Sequence, residues 1–234
     1  CDPFDNEIFV DKFKKVFNTK INEIVKKLKI KNPKIYIGKD CHRKDIWRNT
    51  IYNKYKENRE RDDDFLGGPF FKLAYDELFI NHPSITDILS HENLEADDCI
   101  AIATKHVLEL DKTAQIYIIT SDMDYLQLSN EQTHIYNLKY KKITESKTSF
   151  NNAQKDLFCK IVMGDKSDNI PGIFKKCGVK TVEKLYNDSD EFIRKLNKEN
   201  SNENYNLNKQ LVDFNQIPYV LVSEFKKQNK DFSI

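Results

Sequence analysis

Eight carboxylates in four short stretches are the residues of this sequence best suited to chemistry. Three fall within four positions, two bracket a single residue, two stand three positions apart and one stands alone: Glu95, Asp97 and Asp98; Asp122 and Asp124; Asp165 and Asp168; and Asp40. Oxygen ligands without histidine or cysteine are typical of sites for hard cations such as Mg²⁺ or Mn²⁺. A single acid at a helix start is usually a cap or a solvated side chain, but three acids within four residues exceed what a cap requires.

A pair of hard cations would give this sequence a specific chemistry. Two such ions about 4 Å apart activate water and stabilise both the attacking and the leaving oxygen of a phosphodiester. The chain has 38 basic and 37 acidic residues, so without the eight carboxylates 29 acids remain and the rest of the chain carries +9. A basic surface around an acidic site suits a polyanionic substrate. The pattern therefore predicts hydrolysis of a nucleic-acid backbone.

The elements that must position these acids can be read from the apolar pattern. Asp122 and Asp124 directly follow a continuous apolar strand, and Asp40 follows a shorter one. In open parallel sheets, ligands bind beyond the carboxyl ends of the strands, so these acids stand where a site is expected. Glu95 and Asp98 share one face at the start of a helix. The four stretches are therefore expected to meet in one cleft.

The remaining pattern predicts an α/β fold that ends in helices, because strands and helices alternate first and helices follow. Five scattered cysteines without paired spacing favour a reducing compartment, and no apolar run spans a bilayer, so we expect a cytoplasmic protein. The excess of lysine, 33 against 5 arginines, indicates AT-rich coding such as that of a phage or large DNA virus. The sequence pattern also predicts where the elements lie. The predicted helices cover 6–29, 42–61, 70–80, 95–110 and most of the chain from 151. The predicted strands lie near 34–38, 116–120, 133–137 and 141–144, and Asp62-Asp63-Asp64 is expected in a loop.

Three linked motifs resemble the flap endonuclease / 5′–3′ exonuclease family. In order, they are Leu94-Glu95-Ala96-Asp97-Asp98, then Ser121-Asp122-Met123-Asp124-Tyr125-Leu126-Gln127-Leu128 after a strand, then Met163-Gly164-Asp165-Lys166-Ser167-Asp168-Asn169-Ile170-Pro171-Gly172. The similarity spans roughly residues 8–220. Asp40 followed by Trp47-Arg48, and then Tyr55-Lys56-Glu57-Asn58-Arg59, resembles especially the phage ribonuclease H branch of the family.

The resemblance implies a fold and a division of the chain. The fold is a PIN-like α/β domain, with a mostly parallel sheet flanked by helices, a helical arch and a helix–three-turn–helix element. Residues 1–150 would form the nuclease domain, with the arch at about 42–92. Residues 151–234 would form the helical DNA-binding part.

The resemblance also implies roles for individual residues. Asp40, Glu95, Asp97 and Asp98 would bind or organise Mg²⁺ on one side of the site, and Asp122, Asp124, Asp165 and Asp168 on the other. Lys56 and Arg59 match the basic residues that contact the scissile phosphate and would be catalytic. K⁺ is implied at the helix–three-turn–helix. Contacts to nucleic acid are implied for Arg48, Tyr55, Gly172, Lys175, Lys176, Gly178, Lys180 and Thr181.

Several functional alternatives stay open within this reading. The substrates would be branched or 5′-ended duplex DNA, or an RNA–DNA hybrid. The activity would be that of a flap endonuclease, an exonuclease or a primer-removing ribonuclease H. We expect a monomer that has replication proteins as partners and does not bind a membrane. Relatives begin with a strand that carries a metal-binding Asp, whereas here the helix starts almost at Cys1, so we expect a truncated chain or a protein without that strand. The alternative is then a catalytically impaired module that binds branched DNA. A PIN-type ribonuclease for single-stranded RNA is disfavoured by the element at 164–181.

Overall fold

The computed structural model describes residues 3–59 and 65–229, which belong to two compact units. The first unit takes in the described residues of Cys1–Lys39 and Glu60–Leu89, and the second those of Asp40–Arg59 and Ser90–Ile234. The predicted loop Asp62-Asp63-Asp64 lies outside the described residues. The division of roles near residue 150 and the arch at 42–92 stay predictions.

Eight α-helices and four strands are found in the described ranges, joined by short 3₁₀ turns. The helices are α1 Glu7–Lys27, α2 Gly68–Leu73, α3 Ala96–Leu110, α4 Ala153–Met163, α5 Val179–Asn187, α6 Ser189–Lys198, α7 Asn202–Val212 and α8 Tyr219–Gln228. The strands are β1 Ile35–Gly38, β2 Ile85–Leu89, β3 Ile116–Ile119 and β4 Thr133–Tyr136. Among these helices, none is both long enough and apolar enough to cross a bilayer.

In the first unit, α1 is fixed by its cap and by aromatic packing. The Asn6 side chain accepts a hydrogen bond from the Phe9 N–H at 3.2 Å, which satisfies one of the free amides at the start of the helix. The rings of Phe9 and Phe13 meet Phe70 edge-on, with centroids 5.6 and 4.9 Å apart. A π-helical turn, Ala74–Leu78, extends α2. The predicted helices at 6–29 and 70–80 are thus confirmed.

The sheet of the first unit pairs β1 with β2 in parallel, from Ile35 opposite Ile85 to Gly38 opposite Leu89. The strand predicted at 34–38 is confirmed, but the sequence pattern predicts no strand at 85–89. That segment is short, follows Pro83 and carries an exposed Thr-Asp pair in its middle. Its strand conformation comes from pairing with β1, a tertiary contact that local pattern does not encode.

In the second unit, β3 and β4 are also parallel, from Ile116 opposite Thr133 to Ile119 opposite Tyr136. The strands predicted near 116–120 and 133–137 and the helix predicted over 95–110 are confirmed. The strand predicted at 141–144 is wrong. That stretch makes one antiparallel bridge, Tyr136 to Lys142, and then enters the 3₁₀ turn Ile143–Glu145.

The helix predicted over 42–61 is also wrong across the described part of that range. Two 3₁₀ turns, Arg43–Asp45 and Trp47–Thr50, are followed by further turns up to residue 58. Lys56 adopts a positive φ of 56°, which no α-helix allows, and its N–H donates to the Asp168 carbonyl at 2.9 Å. Long-range hydrogen bonds therefore outweigh the helical periodicity of this stretch.

Helices dominate the chain after residue 151, as predicted. Val162 of α4 packs with Phe174 and with Val182 and Leu185 of α5 in a buried apolar cluster. The helix pair α4–α5, with the 164–178 connection between them, occupies the position of the predicted helix–three-turn–helix. At its first turn, Gly164 has a φ of 71° and ends α4.

Gly164→Ala is expected to lower the free energy of unfolding by about 1–3 kcal/mol, because a positive φ disfavours a side chain. A Cβ there would also lie 2.3 Å from the Ile170 carbonyl oxygen. Gly68→Ala is the matched control: nothing lies within 4 Å of its added Cβ, and α2 begins there. Urea unfolding followed by circular dichroism measures both variants. Equal effects of the two substitutions would contradict the positive φ and the close approach of the Ile170 carbonyl at Gly164.

Candidate metal centre

Three carboxylates at the start of α3 form the first part of the candidate site, here called the Glu95 group: Glu95, Asp97 and Asp98. Each offers an oxygen within 4.8 Å of the other two. Glu95 and Asp98 are buried, with 4% and 0% of their surface exposed. The Glu95 N–H donates to Asp98 Oδ2 at 3.2 Å, so the helix start itself folds these side chains together.

A second group, the Asp165 group, gathers carboxylates from two places in the chain: Asp124, and the pair Asp165 and Asp168. Asp124 lies on the 3₁₀ turn Met123–Leu128 that follows β3, and the other two follow α4. Their oxygens also lie within 4.8 Å of one another. The turn holds Asp165 in place, because its Oδ1 accepts from the Ser167 N–H and hydroxyl at 2.7 and 2.6 Å.

The two remaining predicted ligands lie beside these groups rather than within them. Asp40 is exposed, and its Oδ1 accepts from the Ala96 N–H at 2.8 Å, at the first turn of α3. Asp122 is exposed and caps the turn after β3 by accepting from the Asp124 N–H at 2.9 Å. The structure therefore brings six of the eight predicted acids into two tight groups and places one more at the edge of each.

Tyr55 and Lys56 connect the two groups. The Tyr55 hydroxyl lies 3.0 Å from Glu95 Oε2 and 3.2 Å from Asp168 Oδ2. A phenol has one proton to donate, so the two carboxylates share it. The Lys56 ammonium pairs with Glu95 Oε1 and lies 3.8 Å from Asp168 Oδ2. Both acidic groups therefore face one cleft, as expected from the sequence.

Arg48 is a buried cation of the site, which corrects its predicted role. Its guanidinium donates to Asp98 Oδ1 at 2.7 Å, to Glu95 Oε2 at 2.9 Å and to the Leu211 carbonyl at 2.7 Å. Only 2% of Arg48 and 6% of Tyr55 is exposed. Nucleic acid cannot reach either side chain in this arrangement, so we assign both to holding the carboxylates instead of to substrate contact.

The segment that carries Lys56 and Arg59 is tied to the loop that carries Asp168. The side-chain amide of Asn58 donates to the Lys166 carbonyl at 2.6 Å, and that of Asn169 to the Lys54 carbonyl at 2.8 Å. The Arg59 guanidinium donates to Asp168 Oδ1 at 2.5 Å and to the Ser167 carbonyl at 3.1 Å. These bonds fix the two predicted catalytic cations against the Asp165 group.

Lys160 is a residue of the site that the sequence patterns did not single out. Its ammonium pairs with Asp124 Oδ1 and lies 2.7 Å from Asp165 Oδ2. Lysine spaced five residues before an aspartate carries no motif of its own. The usable signal is that Lys160 sits on the last turns of α4, directly before the loop that supplies Asp165.

The electrostatics of the cleft follow from burial and from these cations. Burial would raise the pKa of Asp165, but hydrogen bonds from Lys160 and Ser167 outweigh it and lower that pKa to about 2. Burial would lower the pKa of Lys56, but Glu95 and Asp168 raise it and keep the ammonium charged. Asp97 behaves oppositely: burial and the neighbouring Asp98 and Glu95 raise its pKa to about 8.

The donor set fits hard divalent cations. Each group consists of three carboxylates whose oxygens lie within 4.8 Å of one another, and neither group, among the residues the structure describes, contains a histidine or a thiol. Such oxygen-only sets suit Mg²⁺, Mn²⁺ or Ca²⁺. Burial, together with the neighbouring Asp98 and Glu95, raises the pKa of Asp97, and a divalent ion bound there would favour the charged carboxylate.

The predicted nucleic-acid residues after α4 are all at the surface. Gly172, Lys175, Lys176, Gly178, Lys180 and Thr181 are exposed. Gly178 precedes the first residue of α5, and Lys176 has a positive φ of 53°. Main-chain donors of the segment are engaged within the protein: the Lys175 N–H donates to Glu199 Oε2 at 3.1 Å, and the Thr181 N–H donates to the Gly178 carbonyl at 2.9 Å.

The sequence matches a known family model over more than half of its length. The model is described as the 5′–3′ exonuclease, N-terminal resolvase-like domain, and matches residues 12–157. A 5′–3′ exonuclease of Buchnera aphidicola subsp. Schizaphis graminum is 35% identical over 158 residues, which cover 64% of this chain and 50% of that protein. The chain thus spans about half the length of this relative.

Solved structures from bacteriophage T5 share the fold. The T5 D15 protein, co-crystallised with metal ions, has a TM-score of 0.72 at 18% identity, covering 94% of this chain and 91% of that chain. A T5 D15 flap endonuclease in a pseudo-enzyme–product complex with DNA and metal ions has a TM-score of 0.70 at 17% identity, covering 94% and 90%. The predicted fold class, a PIN-like α/β domain with a helical part, is confirmed.

Arg48→Met is expected to lower the free energy of unfolding by about 3–5 kcal/mol, because it leaves the buried Asp98 carboxylate without its cation and leaves Glu95 with Lys56 alone. The matched control is Arg194→Met, which removes an exposed guanidinium of α6 and should change stability by less than about 1 kcal/mol. Chemical denaturation of the metal-free proteins measures both. Similar stabilities for the two variants would contradict the structural role of Arg48.

Asp97→Asn is expected to stabilise the metal-free protein in alkaline solution. Because the folded state favours neutral Asp97, its contribution is greatest below the unfolded pKa of about 4 and is lost as pH rises through about 8. The advantage of the variant should therefore grow as the pH rises from about 4 to about 8, and should be larger at pH 9 than at pH 5 by at least about 1–2 kcal/mol. Thermal unfolding at both pH values measures this, with exposed Asp190→Asn as the control. A gain that does not grow with pH would contradict the raised pKa.

Proposed function

The chain belongs to the 5′–3′ exonuclease family, and from this premise we propose that it is a divalent-metal-dependent 5′ nuclease that hydrolyses the phosphodiester backbone of nucleic acids. The observation that carries the proposal is the convergence of the Glu95 group and the Asp165 group on the Tyr55 hydroxyl and the Lys56 ammonium. Carboxylates that approach so closely repel one another and lose hydration, a cost that a fold retains where cations must be bound.

The two groups would hold two Mg²⁺ ions, for which Mn²⁺ can substitute. One ion would be held by Glu95 and Asp97 with Asp40 at the edge, and the other by the Asp165 group with Asp122 at its edge. Asp98, whose oxygens accept from Arg48 and from the Trp47 indole, would orient its neighbours instead of binding metal. When bound, such ions activate water and stabilise the oxygens of the reacting phosphodiester.

Lys56 and Arg59 would neutralise the charge of the scissile phosphate. The side chain of Lys56 is 13% exposed, and hydrogen bonds to the loop of Asp168 fix its main chain. The side chain of Arg59 is 51% exposed, so one face of its guanidinium remains open to a substrate while the other pairs with Asp168. Preorganised cations of this kind stabilise transition-state charge without first reorganising solvent.

The exposed residues between Gly172 and Thr181 would bind duplex backbone next to this cleft. The exposed lysines among them, Lys175, Lys176 and Lys180, would contact phosphates, and K⁺ is proposed at the turn between α4 and α5. The T5 D15 flap endonuclease was crystallised with DNA and metal ions, which supports the same classes of ligand here. Branched or 5′-ended duplex DNA and an RNA–DNA hybrid are the proposed substrates, with a monomer as the acting form and replication proteins as partners.

The experiment that tests the proposal is cleavage of 5′-labelled flap, nicked-duplex and RNA-primed substrates, with and without Mg²⁺. We expect Mg²⁺-dependent release of 5′ fragments. Asp165→Asn should slow single-turnover cleavage by about 100-fold or more, because the variant weakens one ion while the Ser167 contacts can remain. Asp190→Asn, an exposed acid of α6, is the matched control and should cleave at the wild-type rate.

The substrates also separate the function from its alternative. Filter binding of the flap substrate in EDTA measures affinity apart from chemistry. Tight binding by the wild-type chain without cleavage in Mg²⁺ or Mn²⁺ would replace the nuclease proposal by a branched-DNA-binding module. Undiminished cleavage by Asp165→Asn would contradict the two-ion assignment.

A further inference from the structure

A cavity of about 370 Å³ opens beside the Asp165 group, and the proposed function leaves it without a role. Its wall includes Asp124 and Lys160, the ion pair at the edge of the candidate metal centre. A substrate whose phosphate faces that group would therefore place its neighbouring atoms at the mouth of the cavity. The volume lies at the lower end of the range for small-molecule sites, which is about 300–1,000 Å³.

The lining favours a flat, weakly polar ring. Most of the wall is apolar and includes Met123, Phe150, Leu157 and Met163. Methionine thioethers and aromatic faces are polarisable surfaces that pack well against aromatic rings. A nucleobase is the only part of a nucleic-acid substrate with these properties, and stacking on aromatic side chains accepts any base.

Hydrogen bonds and an ion pair within the protein hold the wall in place. The Phe150 N–H donates to Asp156 Oδ1 at 2.8 Å, and the Ser149 hydroxyl donates to Asp156 Oδ2 at 2.8 Å. The Lys155 ammonium lies 4.4 Å from the centre of the Phe150 ring and 2.6 Å from Glu183 Oε1 on α5. The loop at 149–150 is thus pinned to the first turns of α4, which reduces the ordering cost of binding.

We propose that this cavity, here called the Phe150 pocket, binds one unpaired nucleobase of the substrate strand next to the phosphate that faces the Asp165 group. This inference rests on the proposed function, because that function makes the substrate a nucleic acid. A paired base cannot enter, because its edges and faces are covered within the duplex, so occupancy requires a base that has left the stack. Lys147 and Lys160 lie on the wall and would bring positive charge to the flanking phosphates.

The test measures binding in EDTA, so that it does not depend on cleavage. Flap substrates carry a single abasic site or a single 2-aminopurine at successive positions across the junction. For one position, an abasic site should weaken binding to the wild-type protein by about tenfold, and 2-aminopurine there should change its emission on binding. In Phe150→Ala the same abasic site should cost less than about twofold, since the stacking partner is gone.

Two further variants keep the result interpretable. Met163→Trp fills the pocket from a side chain that is 37% exposed, and should abolish the 2-aminopurine signal without removing an aromatic residue. Tyr219→Ala removes an aromatic side chain that is 83% exposed on α8, and should behave as the wild type. Equal abasic penalties in the wild type and Phe150→Ala, or no sensitive position, would overturn the inference.

The outcomes for the pocket and for the nuclease are distinct. Base-dependent binding that Phe150→Ala removes, in a protein that does not cleave, would support the pocket and contradict the nuclease. Cleavage in Mg²⁺ with base-dependence unchanged by both pocket variants would support the nuclease and overturn the pocket. Failure to bind any flap substrate would overturn both.

Discussion

The structure depends on the neutralisation of carboxylates that crowd into one cleft. Six acids form two groups, and the protein's own cations lie against them: Arg48 at the Glu95 group, Lys160 at the Asp165 group and Lys56 between the two. Taking one of these charges away would leave buried negative charge without compensation, which costs several kcal/mol. The surrounding turns, caps and loops hold these carboxylates and cations close to one another.

The path of the backbone places these charged side chains next to one another. The non-helical path at 43–58 lets Arg48, Tyr55 and Lys56 reach the cleft from one short segment. The loop at 166–169 holds this segment, because the Asn58 amide donates to the Lys166 carbonyl and the Asn169 amide donates to the Lys54 carbonyl. Gly164 makes the sharp turn that starts this loop. Catalytic geometry in general requires such support, because a small displacement of a charged group removes most of its effect.

Much of this site could be predicted from the sequence. Asp124 is predicted because it follows a strand, and the acids of the Glu95 group because they start a helix, whereas Asp165 and Asp168 are predicted from their spacing and from the motif that resembles the family. The long helices α1 and α3 and the strand β3 have strong local periodicity. The predictions that are wrong concern residues whose conformation depends on contacts with residues far away in the sequence. Residues 42–61 have helical periodicity, yet bonds to residues more than 100 positions away decide their path. The nucleic-acid contact implied for Arg48 is wrong because nothing local reveals that Asp98 and Glu95 surround its guanidinium. Lys160 carries no motif, and its only sequence signal is its place just before the loop that supplies Asp165.

The central claim is that the two carboxylate groups form one centre for divalent ions, and crystals grown with Mn²⁺ test it most directly. Anomalous diffraction at the manganese edge should show two peaks within about 4 Å of each other. One peak should lie against Glu95 and Asp97, and the other against Asp124 and Asp165, with the Lys160 ammonium displaced from between those two aspartates. Full data without a peak at either group, with Lys160 still paired to Asp124 and Asp165, would contradict the account.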